Sequence, residues 1–379
     1  MTRIALIRQR YNPFGGAERF IERALDGLRS EGVGVTLIAR SWRGDSEREW
    51  IRCDPPHVGR MWRDAGFAAC VRRILFRERF DLVQSHERIA GCDIYRAGDG
   101  VHATWLAQRG LTQGRLARLA TRLQPWHRYT LAAEARMFRH PALRAVICNS
   151  RMVRDDIERR FAVPGEKLHV IRNGVDTAVF HPHSRARHRQ SMRRDLGLDD
   201  AQPVFLYVGS GFERKGVATL LAALAGMRNR EAHLLIVGTD KHRARFEKLA
   251  VRLGLGARAR FLGGQTDVVP FYGAADAFVL PTLYDPMPNA ALEALACGLA
   301  TIVSSTCGAA ELIEDGTEGF VVEALDAAGL ADRMDRLAAP GAARALGARA
   351  RARAERHSIE AMTRQLTALY ARLLASRPV

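Results

Sequence analysis

Short runs of isoleucine, valine and leucine alternate with longer amphipathic stretches along the chain. The first run is Ile4 to Ile7, an amphipathic segment spans Ala17 to Arg29, and a second run covers Val35 to Ala39. An apolar run, a stretch of helical period and another apolar run form the βαβ unit of a parallel sheet. The same pattern predicts three further strands in this first series, at Leu82 to Gln84, Ala145 to Cys148 and Leu168 to Ile171.

A second βαβ series follows after a polar interruption. Asp176 to Pro203 is rich in arginine, histidine and proline and poor in apolar residues, which is typical of a link between domains. The predicted strands of the second series are Val204 to Val208, Leu234 to Val237, Arg260 to Leu262, Ala277 to Leu280, Thr301 to Ser304 and Phe320 to Val322. We therefore expect an α/β protein with two doubly wound, Rossmann-like domains, whose ligands bind beyond the carboxyl ends of the strands.

The length of 379 residues agrees with two domains, because it exceeds what one hydrophobic core usually serves. We place the first domain at residues 1–180, the link at 181–202 and the second domain at 203–356. Residues 357–379 are expected to form a C-terminal helix that returns to the first domain.

Charge and cysteine usage narrow the functional classes. Lysine and arginine number 58 against 41 acidic residues, a formal net charge of +17. Such a surplus attracts phosphate-bearing partners, which include nucleotides, nucleic acid and anionic lipid. No apolar run is long enough to span a bilayer and no signal-peptide pattern is present, so we expect a cytoplasmic protein.

The six cysteines contain no CxxC pair, so we expect reduced thiols and no zinc site.

The first candidate site segment is Arg8 to Phe20, which contains the glycine pair Gly15 and Gly16 after a predicted strand. Glycines here let backbone N–H groups approach an anionic ligand at a helix N-terminus. A structural turn that needs only glycine flexibility is an equally good interpretation.

The second candidate segment is Val208 to Gly216, in which a compact loop around Gly209 precedes Arg214 and Lys215. Two adjacent cations at a strand-end glycine loop suit a pyrophosphate, because arginine can bind it bidentately while lysine acts as a point charge. The alternative is a basic turn exposed to solvent.

The third candidate segment is Tyr284 to Gly298, where Asp285 and Glu293 flank a helix predicted to start near Asn289 and Ala290. The carboxylates can accept hydrogen bonds from sugar hydroxyls, and the first amides of the helix can face phosphate. The alternatives are an N-cap role for Asp285 and stabilisation of the helix dipole by Glu293.

A basic segment between Val101 and His140 holds seven arginines and one acid, Glu134. Tryptophan and leucine residues recur among the arginines at near-helical spacing, from Trp105 to Trp126. The pattern predicts an interfacial anchor on anionic lipid. The alternative is a helix whose apolar side packs into the core.

These segments, with Val303 to Val322 and the RNGVD run at Arg172 to Asp176, resemble the retaining glycosyltransferases of family 4, which have the GT-B fold. The resemblance covers nearly the whole chain. Asp93 to Gly100, Val208 to Gly216 and Val237 to Leu255 most resemble the lipopolysaccharide core glucosyltransferases of that family.

The resemblance implies a cleft between two Rossmann-like domains, a nucleoside diphosphate sugar as co-substrate, UDP-glucose for a glucosyltransferase, and neither cofactor nor obligatory metal. Arg214 and Lys215 match the pair that neutralises the donor diphosphate. Glu293 matches the second acid of the E-x7-E element, which binds the ribose. Asp285 stands at its first position, where the family usually has glutamate beside the transferred sugar.

Two further features are implied for the first domain. Asp99 matches an acid near the reacting sugar, with His102 as an alternative polar group, and Gly15 with Gly16 match a loop that faces the donor phosphates. The departure of Asp285 from glutamate leaves the choice of hexose open, and Asp99 is either an orienting group or a nucleophile.

The expected function is transfer of a hexose, glucose by resemblance, to a heptose of a lipid-linked lipopolysaccharide core at the inner face of the cytoplasmic membrane. The alternatives are a transferase of the same fold for another glycan or glycolipid, and a nucleotide-sugar epimerase. A nucleic-acid-binding protein is disfavoured, because the chain lacks aromatic stacking platforms, zinc motifs and a helix-turn-helix pattern.

Overall fold

A computed structural model describes residues 2–9, 33–41 and 50–376 of the chain. The amphipathic segment Ala17 to Arg29 and the pair Gly15 and Gly16 lie outside these residues. The chain divides into two compact units: Met1–Asn173 together with Ile359–Val379, and Gly174–Ser358.

The first unit is built on a seven-stranded parallel sheet of order β3-β2-β1-β4-β5-β6-β7. Its strands are β1 Arg3–Ile7, β2 Gly34–Ala39, β3 Trp50–Arg52, β4 Leu82–Ser85, β5 Ile94–Ala97, β6 Ala145–Cys148 and β7 Leu168–Val170. The described helices of this unit are α1 Gly59–Arg77, α2 His102–Leu111, α3 Arg115–Leu123, α4 Pro125–Phe138, α5 Arg151–Phe161 and, at the C-terminus, α13 Ile359–Ala375.

Both faces of this sheet are covered, and the alternation along β1 shows how. Ile4 and Leu6 pack in one cluster with Leu366 and Leu369 of α13. Ile7 packs in another cluster, with residues of α1. Because successive strand residues point to opposite faces, a continuous apolar run serves two helical layers at once.

The second unit is built on a six-stranded parallel sheet of order β10-β9-β8-β11-β12-β13. Its strands are β8 Val204–Val208, β9 His233–Val237, β10 Ala259–Gly263, β11 Ala277–Leu280, β12 Ala300–Ser304 and β13 Gly319–Val322. Its helices are α6 Pro182–Asp195, α7 Val217–Gly226, α8 Arg243–Arg252, α9 Val269–Ala274, α10 Asn289–Ala296, α11 Ala327–Ala338 and α12 Ala342–Glu355. The prediction of two Rossmann-like α/β domains is confirmed.

The structure differs from the sequence prediction between residues 181 and 202. Where we expected a link, helix α6 packs on α9 within the second unit. Arg193 is buried and its Nη2 lies 2.7 Å from Oδ2 of Asp276. The arginine-rich sequence predicts a polar link, but the Arg193 guanidinium is bound by Asp276 and by the Ala274 carbonyl, so the segment packs as a helix.

The sequence pattern did not predict two of the strands, and in each case the reason lies in the strand itself. Strand β5 is fully buried but contains Arg96, whose Nη2 donates to Oδ1 of Asn173 at 2.9 Å. Strand β3 has three residues and lies at the sheet edge with Trp50 partly exposed. The charged residue interrupts the apolar pattern of β5, and β3 is too short to show a pattern.

Cysteine pairing also differs from the expectation of six reduced thiols. Cys53 and Cys70 form a disulfide that joins the segment after β3 to α1, with their Cα atoms 6.0 Å apart. The other four cysteines are free and buried.

Candidate active site

The loops after β8 and β11 meet where the strand order of the second sheet reverses. Strands β9 and β10 lie to one side of β8, and β11 to β13 lie to the other. In open parallel sheets this reversal opens a crevice at the carboxyl edge, in which ligands bind. The loop after β8 carries Arg214 and Lys215, and the loop after β11 carries Asp285.

The two loops are held together through their backbones. The Arg214 carbonyl accepts hydrogen bonds from Leu283 N at 2.8 Å and from Thr282 Oγ1 at 3.0 Å. Gly216 has φ +74°, and a Cβ there would lie 1.9 Å from the Pro281 carbonyl oxygen. Only glycine allows this close approach, so Gly216 helps to set the position of both cations.

The side chains of the two loops form an ionic cluster. Oδ2 of Asp285 lies 3.3 Å from Nη1 of Arg214 and 3.2 Å from Nζ of Lys215. Asp285 is only 6% exposed, whereas the Arg214 side chain is 36% exposed, so the carboxylate is buried and the guanidinium reaches solvent. Two cations share one carboxylate, which leaves a net positive charge for an anionic ligand.

Gly209 provides the surface on which Lys215 lies. A Cβ at Gly209 would come within 2.8 Å of Cδ of Lys215, so any larger residue would displace the lysine stem. The loop itself is fixed by Asp240, whose Oδ2 accepts from Phe212 N at 2.8 Å. The structure therefore brings Gly209, Arg214, Lys215 and Asp285 together.

Glu293 is positioned by a residue that the sequence analysis missed. The Tyr272 hydroxyl donates to Oε2 of Glu293 at 2.9 Å. Burial, reinforced by the Glu293 carboxylate, raises the pKa of Tyr272 well above its usual value, so the hydroxyl stays protonated and can donate. Tyr272 lies in α9, 21 residues before Glu293, so no sequence motif links the two residues.

Helix α10 begins at Asn289 in the same loop region, and Pro288 gives no side-chain cap. Asn289 and Ala290 are half-buried at its first turn. The backbone N–H groups of a first helical turn favour anions. The segment from Asp285 to Glu293 therefore presents carboxylates on either side of a helix N-terminus.

Asp99 belongs to the first unit, in the loop after β5. Arg88 donates to the Gly100 carbonyl at 3.2 Å and Asn149 to the Gly98 carbonyl at 3.2 Å, so the residues on either side of Asp99 are held. Asp99 is exposed, and within the described part of the chain its carboxylate has no hydrogen-bond or ion-pair partner. The carboxylate is thus free to meet a ligand.

His102 points inward instead. Its Nε2 lies 2.9 Å from Nδ1 of His127, and burial lowers the pKa of His102 to about 3. The ring is neutral and packed at the start of α2, so it has a structural role.

Gly15 and Gly16 lie outside the described residues, so their predicted place at the donor phosphates stays a prediction. Among residues 2–9, 33–41 and 50–376, no three His, Cys, Asp or Glu side chains are grouped to hold a metal ion.

Comparison with known families accounts for both units. Residues 14–179 match the family described as Glycosyltransferase Family 4, and residues 188–353 match Glycosyl transferases group 1. The chain belongs to the family 4 glycosyltransferases.

Individual relatives of this glycosyltransferase agree over most of their length. The lipopolysaccharide glucosyltransferase WaaG of Escherichia coli (strain K12) is 28% identical over 84% of each chain. The lipopolysaccharide core biosynthesis glycosyltransferase LpsE of Rhizobium meliloti (strain 1021) is 28% identical over 96% of this chain and 97% of the relative. The crystal structure of WaaG superposes with a TM-score of 0.83 at 26% identity, covering 97% of this chain and 99% of WaaG. The GT-B fold class expected from the sequence is confirmed.

Proposed function

We propose that this glycosyltransferase is a retaining hexosyltransferase that moves glucose from UDP-glucose to a heptose of a lipid-linked lipopolysaccharide core. One observation carries the proposal: Arg214 and Lys215 converge on the buried Asp285 at the strand-order reversal of the second sheet. The names of two relatives, WaaG and LpsE, support the lipopolysaccharide core as the product.

The proposed reaction breaks the anomeric C–O bond, and negative charge builds on the departing β-phosphate oxygen. Arg214, Lys215 and the first amides of α10, at Asn289 and Ala290, stabilise that charge. Pre-oriented donors of this kind are each worth about two to three decades in rate. Two fixed cations supply the charge that a metal ion would otherwise supply, so we propose a metal-independent enzyme.

The two acids of the loop have different partners in this scheme. Glu293, oriented by the Tyr272 hydroxyl, accepts hydrogen bonds from the ribose. Asp285 holds both cations in place and reaches the transferred sugar with its other oxygen. Its side chain is one methylene shorter than the glutamate usual in the family. The space left beside Asp285 then determines which hexose fits.

Retention follows from attack on the same face that the leaving group departs from, with the leaving phosphate accepting the acceptor's proton. Asp99 then orients the acceptor or stabilises the developing positive charge on the sugar. Its exposure and its lack of a partner within the described residues suit that role. Trapping of a glycosyl-Asp99 adduct, detected by mass spectrometry, would replace this scheme with a double displacement.

An array of nucleotide sugars tests the proposed donor without any acceptor. We expect slow hydrolysis, with the highest rate for UDP-glucose and no effect of a chelator. NMR of the released sugar should show the retained anomer. Hydrolysis of no nucleotide sugar, or complete loss of hydrolysis with the chelator, contradicts the proposal.

A membrane-bound acceptor is supported by the surface of α3. The helix has no buried residue, and Leu116, Leu119 and Leu123 are 85%, 55% and 61% exposed. Their spacing of three and four residues places them on one side of the helix, among exposed arginines. The apolar side of α3 is thus uncovered rather than packed into the core.

Not all of the basic segment can belong to the predicted interfacial anchor. It folds as three helices, and Trp126 points inward, where its Nε1 donates to Oδ2 of Asp64 at 2.7 Å. Glu134, the one acid between residues 101 and 140, is fully buried against Arg88. The exposed charged side chains of this segment are therefore all basic, which suits an anionic membrane surface. No helix in the described ranges has the length and apolar content to cross a bilayer.

Co-sedimentation with vesicles of phosphatidylglycerol and phosphatidylcholine tests this surface. We expect binding at low salt, release at high salt, and loss of binding in a Leu116→Ser, Leu123→Ser double variant. Val251→Ser, at an exposed apolar position of the second unit, is the matched control. Indifference of the wild-type protein to both vesicles and salt contradicts the membrane role.

A further inference from the structure

The core of the second unit contains a tyrosine whose hydroxyl group is unpaired. Tyr207 is the fourth residue of β8 and is fully buried. Its hydroxyl oxygen is also buried and makes no hydrogen bond within residues 2–9, 33–41 and 50–376. Buried hydroxyl groups are nearly always paired, because an unpaired one loses its hydrogen bonds to water without replacement. Phenylalanine would avoid this cost, so the hydroxyl calls for an explanation.

The surroundings of the Tyr207 ring would suit a phenylalanine equally well. Phe205 lies two residues earlier on the same side of β8 and is also buried. The Tyr207 ring meets Phe212 edge to face, with centroids 5.9 Å apart, and Phe212 in turn meets Phe246 at 5.5 Å. These contacts fix the ring, and none of them involves the hydroxyl. The hydroxyl is therefore not needed for packing.

The Tyr207 hydroxyl lies near the ionic cluster of the candidate active site. Phe212, on which the ring packs, belongs to the loop that carries Arg214. Burial raises the pKa of Tyr207 well above its usual value. The charge of Arg214 lowers this pKa, whereas the charges of Asp285 and Asp240 raise it. The hydroxyl thus stays protonated, within electrostatic range of these side chains, and can donate a hydrogen bond.

Among these neighbours, Asp285 is the side chain whose partners change when a diphosphate binds. In the free protein its Oδ2 lies beside Arg214 and Lys215. A diphosphate takes N–H donors from the same two side chains, so fewer remain for the carboxylate. A buried carboxylate that loses donors is destabilised unless another donor replaces them. Both carboxylate oxygens of Asp240, by contrast, already accept backbone N–H groups.

We propose that Tyr207 is a positioning residue of the donor site, whose hydroxyl donates to the Asp285 carboxylate when a diphosphate occupies the two cations. The inference rests on the proposed function and adds a residue to its donor site. The hydroxyl is unpaired in the free protein and paired in the complex. Its hydrogen bond therefore contributes to diphosphate affinity and not to the stability of the free protein.

Calorimetric titration with UDP tests this role in Tyr207→Phe, which removes only the hydroxyl. We expect UDP binding at least about fivefold weaker than in the wild type, with a urea midpoint of the free protein that is equal or higher. Tyr370→Phe in the first unit is the matched control, because that buried hydroxyl already donates to Oε1 of Gln84 at 2.6 Å. This control should lower the urea midpoint and leave UDP affinity unchanged.

NMR and a double-mutant cycle identify the acceptor. In protein labelled with ¹³Cζ-tyrosine, the signal that is missing from Tyr207→Phe identifies Tyr207 among the seven tyrosines. We expect this signal to shift when UDP is added to the wild type. In an Asp285→Ala background, Tyr207→Phe should weaken UDP binding no further.

The outcomes separate this inference from the proposed function. Unchanged UDP affinity in Tyr207→Phe, a lower urea midpoint in that variant, or a Tyr207 signal that UDP does not move overturns the positioning role. An equal effect of Tyr207→Phe in the wild-type and Asp285→Ala backgrounds also overturns it, because the hydroxyl then acts on another group. Failure of the wild type to bind UDP overturns the proposed donor site itself, and this inference with it.

Discussion

The two strand-order reversals of this glycosyltransferase have the same topology and different side chains. Between β8 and β11, Arg214 and Lys215 share one carboxylate and the balance is positive. Between β1 and β4, each charge has its own partner: Asp64 is paired with Arg63, and Arg88 with Glu134. The second unit's reversal therefore has a surplus of positive charge that suits a diphosphate, and the first has no such surplus.

The difference shows which properties of a binding site come from the fold and which come from the loop residues. A parallel sheet opens a crevice wherever its strand order reverses, whatever the side chains are. The loop residues then decide what enters the crevice. In the second unit those residues are fixed by backbone contacts at Gly216, and in the first by hydrogen bonds to Asp64.

The largest effect is expected from removing a cation at the second reversal. Lys215→Ala should lower turnover at least about a hundredfold with folding unchanged, because charge on the leaving phosphate loses a fixed partner. Steady-state transfer assays and circular dichroism measure the two quantities. Lys241→Ala, at an exposed lysine of the same unit, should leave turnover unchanged. Near-normal turnover of Lys215→Ala would remove this lysine from the site.

The next effect concerns the backbone contact that positions both cations. Gly216→Ala should lower the free energy of unfolding by at least about 2 kcal/mol. The alanine would be held at a left-handed φ, and its Cβ would collide with the Pro281 carbonyl. Gly211→Ala is the matched control: it also has a positive φ, but its Cβ meets open space, so about 1 kcal/mol is expected. Hydrogen exchange of peptides covering β8 and α7 reports the local stability. Equal costs for the two variants would mean that the contact does not constrain the loop.

A smaller effect tests whether Asp285 positions the cations. Asp285→Asn should lower turnover about tenfold, a loss of roughly 1.4 kcal/mol in the transition state, because Arg214 and Lys215 lose their shared partner. Asp285→Glu keeps the charge and should retain more activity than the asparagine variant. Equal activity of the two variants would show that the carboxylate charge is not needed.

The smallest effect separates the two units by acid sensitivity. His102 has a pKa of about 3 in the folded protein because it is buried, against about 6.5 when unfolded. The unfolded chain thus binds the extra proton between these pH values, so stability falls as pH falls through this window, by about 1 kcal/mol per pH unit.

Tryptophan fluorescence measures this in the first unit, because all five tryptophans lie before residue 127. Urea unfolding at pH 7 and 5.5 should show a shallower dependence on pH in His102→Gln. His242→Gln, at an exposed histidine of the second unit, should keep the wild-type dependence. A wild-type dependence in His102→Gln would assign the acid sensitivity to other groups.

The fold was largely predictable because both sheets are parallel and buried. Strands such as Ala145–Cys148 and Ala277–Leu280 are uninterrupted apolar runs, and their predicted bounds agree with the structure. Prediction failed where charge is buried with its own partner, as at Arg96 in β5 and Arg193 in α6. A sequence pattern registers the charge but not the distant group that compensates it.

The candidate site was predictable at the level of loops but not of contacts. Positions at strand ends singled out Arg214, Lys215 and Asp285, since carboxyl ends of parallel strands share an edge. That Asp285 binds both cations, and that Tyr272 orients Glu293, depends on packing between segments far apart in sequence.

A crystal structure of the protein bound to UDP would show where the diphosphate binds. We expect β-phosphate oxygens within hydrogen-bond distance of the Arg214 guanidinium and Lys215 Nζ, with the ribose hydroxyls on Glu293. A diphosphate bound away from these cations would contradict this expectation.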